Sequence, residues 1–108
     1  MSLLNNGGFL KLGYDICGSA ATGEEAMQYV ADMRPDLVLM DINLEGEIDG
    51  IETAARIKKD YNIPIIFVSA YFDEATIARA KAINPEGFLR KPFDDDDLRI
   101  AIELGLKK

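Results

Sequence analysis

Histidine and tryptophan are absent from the 108 residues, and cysteine occurs only once, as Cys17. Without histidine, the chain cannot perform Ser-His-Asp or Cys-His catalysis, bind a metal through imidazole or carry phosphohistidine. Any metal must therefore bind to oxygen atoms. A single cysteine cannot close an internal disulfide, which favours a reducing compartment, most simply the cytoplasm, and Cys17 is expected to be a buried strand residue.

Long apolar runs and excess positive charge are also missing. No apolar stretch approaches the roughly 20 residues that span a bilayer, and the first residues lack the basic and apolar regions of a signal peptide, so no membrane contact is expected. The 12 basic and 19 acidic residues leave a net charge of −7, which disfavours nucleic-acid binding. The length allows one domain, and 48% apolar with 29% charged residues is typical of a folded globular core.

Short apolar runs alternate with longer amphipathic segments along the chain. Strands are predicted at residues 14–20, 37–40, 65–68 and 87–90, and each is followed by a predicted helix. Thr22, Asp49 and Asp73 are the predicted starts of the first three helices, and four aspartates, Asp94 to Asp97, either favour the positive end of the last helix or simply form its solvated start. Leu37 to Met40 is apolar at every position, which indicates burial on both faces. The order therefore predicts an α/β fold with a parallel sheet and helices on both faces.

Three polar residues follow three of the predicted strands. Asp41, Ser69 and Lys91 come directly after strands whose carboxyl ends share one edge of a parallel sheet, where ligands bind. Taken singly, Asp41 could cap a turn, Ser69 could satisfy loop backbone and Lys91 could be a surface cation. Together, a nucleophilic carboxylate, a hydroxyl and an ammonium fit phosphoryl transfer, with a divalent metal to complete the charge balance.

Four segments carry a resemblance to a known family. They are Asp36 to Leu44, Asp49 to Glu52, Ile65 to Ala70 and Gly87 to Phe93, and they resemble response-regulator receiver domains of two-component phosphorelays. The resemblance implies a flavodoxin-like, receiver-type fold and a role in signal transduction. It covers the chain from about Leu12 onward, and places residues 1–11 as a lead-in or cloning remnant and residues 12–108 as an incomplete receiver domain.

The same resemblance implies roles for individual residues. Asp41 is the expected phosphoacceptor, taking a phosphoryl group from a sensor histidine kinase or phosphotransfer domain to form an aspartyl phosphate. Ser69 and Phe88 match the conformational switch, although Phe88 lacks a phenolic hydroxyl and a plain core aromatic is the alternative interpretation. Lys91 matches the phosphoryl-binding cation, with a cis peptide bond to Pro92. Asn43 would offer its backbone carbonyl to Mg²⁺ beside the Asp41 carboxylate.

One part of the family pattern is missing. The family's first strand ends in an acidic pair that binds Mg²⁺, and none of residues 1–12 resembles such a strand. Residues 9–14 instead resemble the tail of the first helix running into the second strand. Since Mg²⁺ prefers a near-octahedral set of oxygen ligands, we expect the metal to bind weakly or not at all and Asp41 to be phosphorylated poorly or not at all. In the family's strand order, the loss also leaves two strand edges unpaired, so that the strand at 14–20 either closes against 37–40 or swaps into a homo-oligomer.

Three functions compete at this stage. The first is a signalling receiver module that is not an enzyme. The second is an interaction domain of receiver fold that works without phosphorylation, which the missing acids favour and the intact Asp41, Ser69 and Lys91 oppose. The third, a small hydrolase acting through an aspartyl phosphate, needs a second carboxylate near Asp41, where the sequence has Asn43.

Overall fold

Strands and helices alternate along the chain after an opening pair of strands. The computed structural model describes residues 2–6, 14–42 and 48–106. Its elements are β1 (Ser2–Asn6), β2 (Tyr14–Ser19), α1 (Gly23–Met33), β3 (Leu37–Asp41), α2 (Gly50–Tyr61), β4 (Ile65–Ser69), α3 (Glu74–Lys81), β5 (Gly87–Arg90) and α4 (Asp95–Leu106). The four predicted strands and four predicted helices are therefore confirmed, and β1 is an addition.

Side-chain caps begin the first three helices, as the sequence predicts. The Thr22 hydroxyl accepts a hydrogen bond from the backbone N–H of Glu25 at 3.1 Å. Asp49 and Asp73 cap α2 and α3 in the same way, each through the N–H three residues further on. Such caps satisfy backbone donors that the first helical turn leaves without an intrahelical partner. The caps therefore set where each helix leaves the edge of the sheet.

The five strands form one sheet in the order β2-β1-β3-β4-β5. β3 pairs in parallel with β4, and β4 pairs in parallel with β5. β1 runs antiparallel to both of its neighbours, β2 and β3. The α/β, receiver-type fold class is confirmed by the parallel strands β3, β4 and β5 and their helices. The second strand of the sheet, β1, runs in the opposite direction to its neighbours.

The sequence predicts strands only from residue 14 onward, and β1 corrects that expectation, although β1 carries no acidic pair. Ser2, Leu3 and Leu4 pair with Leu39, Val38 and Leu37 on one side, and residues 2–6 pair with β2 on the other. The strand edges that were expected to lack partners are thus paired within one chain, and β2 does not close against β3. The physical reason is that open backbone donors and acceptors on two edges favour a tethered extended segment, even one with two asparagines of low β-propensity.

Other expectations for this end of the chain remain predictions. The predicted helix tail at residues 9–14 falls almost entirely on residues 7–13, which lie outside the described residues. The domain boundary after residue 11 and the oligomeric state also stay predictions, although self-association has lost the unpaired edges that motivated it.

Two apolar cores lie on opposite faces of the sheet. On one face, Val38, Met40 and Phe67 pack with buried residues of α1, α2 and α3. On the other face, Leu37, Ile66 and Ile102 of α4 form a second cluster. All five residues of β4 are buried, as the unbroken apolar run predicts. None of the helices in the described part of the chain is long and apolar enough to cross a membrane.

Candidate functional site at the carboxyl edge of the sheet

The parallel pairing brings the predicted site residues to one edge of the sheet. Asp41 is the last residue of β3, Ser69 is the last residue of β4, and Lys91 follows β5 directly. In the ladder, Asp41 lies beside Val68, and Ser69 lies beside Arg90. Because neighbouring parallel strands keep their register, the three residues form a row along the edge. This row is the candidate functional site.

Asp41 and Lys91 are in direct contact. The Lys91 Nζ atom lies 3.1 Å from Asp41 Oδ2, and the Lys91 backbone N–H donates to the Ser69 carbonyl at 2.9 Å. The side chains are 33% exposed for Asp41 and 46% exposed for Lys91, so solvent and a small reactant can reach the carboxylate. The peptide bond between Lys91 and Pro92 is cis. The site thus pairs an accessible carboxylate with an ammonium held by the next strand.

The Ser69 hydroxyl is engaged in its own loop. It donates to the Tyr71 carbonyl at 2.8 Å and accepts from the Tyr71 N–H at 3.2 Å. Ser69 is 1% exposed, and this pair of bonds satisfies a buried hydroxyl, as the loop interpretation of Ser69 expects. A movement of the hydroxyl toward Asp41 would have to break both bonds with Tyr71.

Phe88 lies between the core and the surface. Its ring packs edge-on against Phe72 at 5.6 Å between ring centroids and is tilted against the buried Phe67 at 6.0 Å. The residue is 39% exposed, so it is not a fully buried core aromatic. Both neighbours belong to the segment around β4, and the ring therefore contacts the strand that ends at Ser69.

Gly50 brings the start of α2 against the backbone of Asp41. Its N–H donates to the Ile42 carbonyl at 3.0 Å. A Cβ atom at this position would lie 2.9 Å from the Asp41 carbonyl carbon and from Ile42 Cα, and closer still to the Asp41 carbonyl oxygen. Only glycine fits this approach without a backbone shift. Asp49-Gly50 predicted a helix start, but the pattern contained no signal for this contact.

An ion pair links the start of α2 to α3. Asp49 Oδ2 lies 2.8 Å from Arg79 Nη2, while its Oδ1 accepts from the Glu52 N–H at 2.9 Å. Partial burial acts to raise the pKa of Asp49, but the Glu52 N–H and the Arg79 guanidinium outweigh it, so the pKa lies below its ordinary value. Sequence reasoning missed Arg79, because a pair 30 residues apart has no local pattern.

The described residues do not fit a Mg²⁺ site. Across residues 2–6, 14–42 and 48–106, no group of three or more acidic or cysteine residues is placed to hold a metal ion. β1 lies next to β3 at the centre of the sheet, and its sequence, Ser-Leu-Leu-Asn-Asn, contains no carboxylate. The predicted ligand Asn43 lies outside the described residues. Among the described residues, the Asp41 carboxylate is thus the one predicted ligand, far short of the six oxygen ligands that Mg²⁺ prefers.

Comparisons with known proteins agree with this geometry. The family model for the response regulator receiver domain matches residues 3–103. Sporulation initiation phosphotransferase F of Bacillus subtilis is 39% identical over 102 residues, which are 94% of this chain and 81% of that protein. The transcriptional regulatory protein PdtaR of Mycobacterium tuberculosis is 35% identical over 89% of this chain, which spans 46% of that protein. The chain therefore belongs to the response regulator receiver domain family.

A solved structure extends the likeness to three dimensions. The signal receiver domain of a modulated diguanylate cyclase from Desulfovibrio desulfuricans G20, described as an example of alternate folding, has a TM-score of 0.84 and 47% identity. The match covers 89% of this chain and 76% of that one. Receiver domains act in two-component phosphorelays with histidine kinases or phosphotransfer proteins and generally use Mg²⁺ at the phosphorylation site. They are generally signalling domains without enzymatic activity of their own.

Proposed function

We propose that this chain is a phosphorelay receiver module in which Asp41 accepts a phosphoryl group from a histidine of a partner kinase or phosphotransfer domain. The observation that carries the proposal is the Lys91 Nζ atom at 3.1 Å from Asp41 Oδ2 at the carboxyl edge of the sheet. A carboxylate oxygen attacks phosphorus, the bond from phosphorus to the donor nitrogen breaks, and the donor histidine keeps the electron pair of that bond. The product is an aspartyl phosphate.

Lys91 supplies the positive charge for this step. Its ammonium already lies against the attacking carboxylate, and it binds the phosphoryl oxygens as negative charge develops on them. Two features support its position: the Lys91 N–H bonds to the Ser69 carbonyl, and the lysine directly follows β5. The absence of histidine from the chain means that the phosphoryl donor belongs to another domain.

Ser69 and Phe88 form the proposed switch. After phosphorylation, the Ser69 hydroxyl exchanges its bonds with Tyr71 for a bond to a phosphoryl oxygen on Asp41. The exchange frees the Tyr71 backbone at the start of the loop that leads to Phe72, against which the Phe88 ring packs. Because Phe88 has no hydroxyl, its output rests on the movement of an apolar ring.

We further propose that this chain is phosphorylated poorly. Mg²⁺ supplies charge neutralisation for phosphoryl transfer when it is bound, and the described residues offer it too few oxygen ligands. The ion pair between Asp41 and Lys91 compensates the charge of the carboxylate without a metal. Metal affinity is therefore expected to be weak, with Mg²⁺ bound only at high concentration.

Acetyl phosphate with increasing Mg²⁺, followed by intact-mass analysis, tests both statements. We expect incorporation of one phosphate that is slow, incomplete and still rising at the highest Mg²⁺ concentration, and that disappears in Asp41→Asn. Stoichiometric phosphorylation at low Mg²⁺ would overturn the impairment. Phosphate on a residue other than Asp41 would overturn the acceptor assignment.

A second candidate function is protein interaction without phosphorylation. The incomplete set of metal ligands and the Asp41–Lys91 ion pair favour it, since the site is charge-compensated as it stands. In that case, no phosphate enters at any Mg²⁺ concentration, while the fold remains intact. In either role, we propose that the chain works in the cytoplasm with protein partners, and that it is a signalling module and not an enzyme.

A further inference from the structure

Helix α3 has the fewest buried residues of the four helices in the described part of the chain. Of its eight residues only Ala80 is buried, whereas α2 has five buried residues. A helix with little buried apolar surface is held weakly by packing, so single bonds at its surface have a large influence on its position. The hydrogen bonds and ion pairs of α3 therefore strongly influence how firmly the helix is held.

Asp49, which forms an ion pair with α3, is itself firmly held. Its carboxylate caps α2, and its backbone carbonyl accepts from the buried Thr53 hydroxyl at 2.8 Å. The next residue, Gly50, rests on the Asp41 backbone. Arg79, by contrast, lies on α3. The Asp49–Arg79 ion pair therefore joins a fixed point beside Asp41 to a lightly held helix.

A groove lies between α3 and β5. This groove, here the α3–β5 groove, is lined by Phe72, Ile77, Lys81, Phe88 and Arg90. Ile77 and Lys81 belong to α3, while Phe88 and Arg90 belong to β5. A displacement of α3 changes the separation of the two walls, because each wall is carried by a different element.

We propose that the Asp49–Arg79 ion pair is a salt-sensitive latch that holds α3 in place and thereby sets the width of the α3–β5 groove. The side chains of Arg79 and Asp49 are 56% and 37% exposed, so the pair is weak and dissolved salt screens it. The latch requires no phosphoryl group and stands or falls independently of the proposed phosphoacceptor role.

Hydrogen exchange read by mass spectrometry tests the latch. Arg79→Gln removes the charge, and we expect the backbone amides of α3 to lose protection by about two- to five-fold, the effect of one exposed ion pair. Arg56→Gln is the matched control, because Arg56 pairs with Glu52 at the same 2.8 Å and similar exposure, but within α2. It should leave α3 unchanged.

Two further measurements separate the latch from a general loss of stability. Asp49→Asn retains a good helix cap, so it should loosen α3 as Arg79→Gln does while α2 stays protected, and the double variant should add nothing. Raising NaCl from 0.05 to about 1 M should loosen α3 in the natural chain but not in Arg79→Gln, since the Debye length falls to about 3 Å. Unchanged α3 protection in Arg79→Gln, additive effects in the double variant, or equal losses in α2 and α3 would overturn the proposal.

Discussion

Replacing Gly50 with alanine should displace the backbone that carries Asp41. The added methyl group would meet the Asp41 carbonyl group and lie 2.9 Å from Ile42 Cα, and all of these contacts are with backbone atoms. No side chain can rotate away to make room. Either the start of α2 or the end of β3 must therefore move, which also strains the hydrogen bond from Gly50 N–H to the Ile42 carbonyl.

The size of the effect follows from three contributions. Overpacking costs about 1–3 kcal/mol, and a weakened backbone hydrogen bond costs about 0.5–1.5 kcal/mol. The higher helix propensity of alanine offsets up to about 1 kcal/mol. We expect a net loss of about 0.5–4.5 kcal/mol, centred near 2.5 kcal/mol, in the free energy of unfolding, from a total of about 5–15 kcal/mol for a domain of this kind.

Urea denaturation measures this loss directly. With a denaturant slope of about 1–3 kcal/mol per molar for small proteins, the midpoint should fall by roughly 1 M. Gly87→Ala is the control, because its Cβ would meet only Ile66 Cγ1, at an ordinary 3.8 Å, and it should stay near the natural midpoint. A Gly50→Ala protein as stable as the natural chain, or an equal loss in Gly87→Ala, would refute the close-approach reasoning.

Three other predictions concern a buried ion pair, acid and the first strand. The Glu86 side chain is 3% exposed and accepts hydrogen bonds from Lys58 and the Ile65 N–H. Glu86→Gln leaves the Lys58 charge uncompensated, so it should lower the free energy of unfolding in urea by about 2–4 kcal/mol. A loss below about 1 kcal/mol would contradict this. The pKa of Asp49 is lowered from 3.8 in the folded state. The contribution of the Asp49 carboxylate to stability is therefore complete above pH 3.8 and is lost as the pH falls through the lower, folded-state pKa. Asp49→Asn should lose less stability in acid than the natural chain, which thermal unfolding at pH 5 and pH 2 would show. Removing residues 1–6 should unpair β2 and β3 and cause self-association, whereas a monomer at all concentrations in size-exclusion chromatography with light scattering would count against it.

Many elements of the fold follow from residues that lie close together in the sequence. The unbroken apolar runs at β3 and β4 predict burial on both faces, and Thr22, Asp49 and Asp73 mark helix starts, because capping and burial depend on residues a few positions apart. The alternation of strands and helices predicts a parallel sheet. Such a sheet brings Asp41, Ser69 and Lys91 to one edge, independently of the conformation of the loops. The fold class and the residues of the candidate site are therefore predictable from the residue pattern and the family resemblance.

Features that depend on contacts between distant segments appear only in the folded chain. Residues Ser2–Asn6 pair between β2 and β3 because the backbone N–H and C=O groups on two open strand edges need hydrogen-bond partners. The five residues themselves show no pattern that predicts a central strand. The contact of Gly50 with Asp41 and the ion pair of Asp49 with Arg79 likewise arise only when α2 and α3 dock on the sheet. Pairing and docking depend on what the rest of the chain leaves unsatisfied, and no local window contains that information.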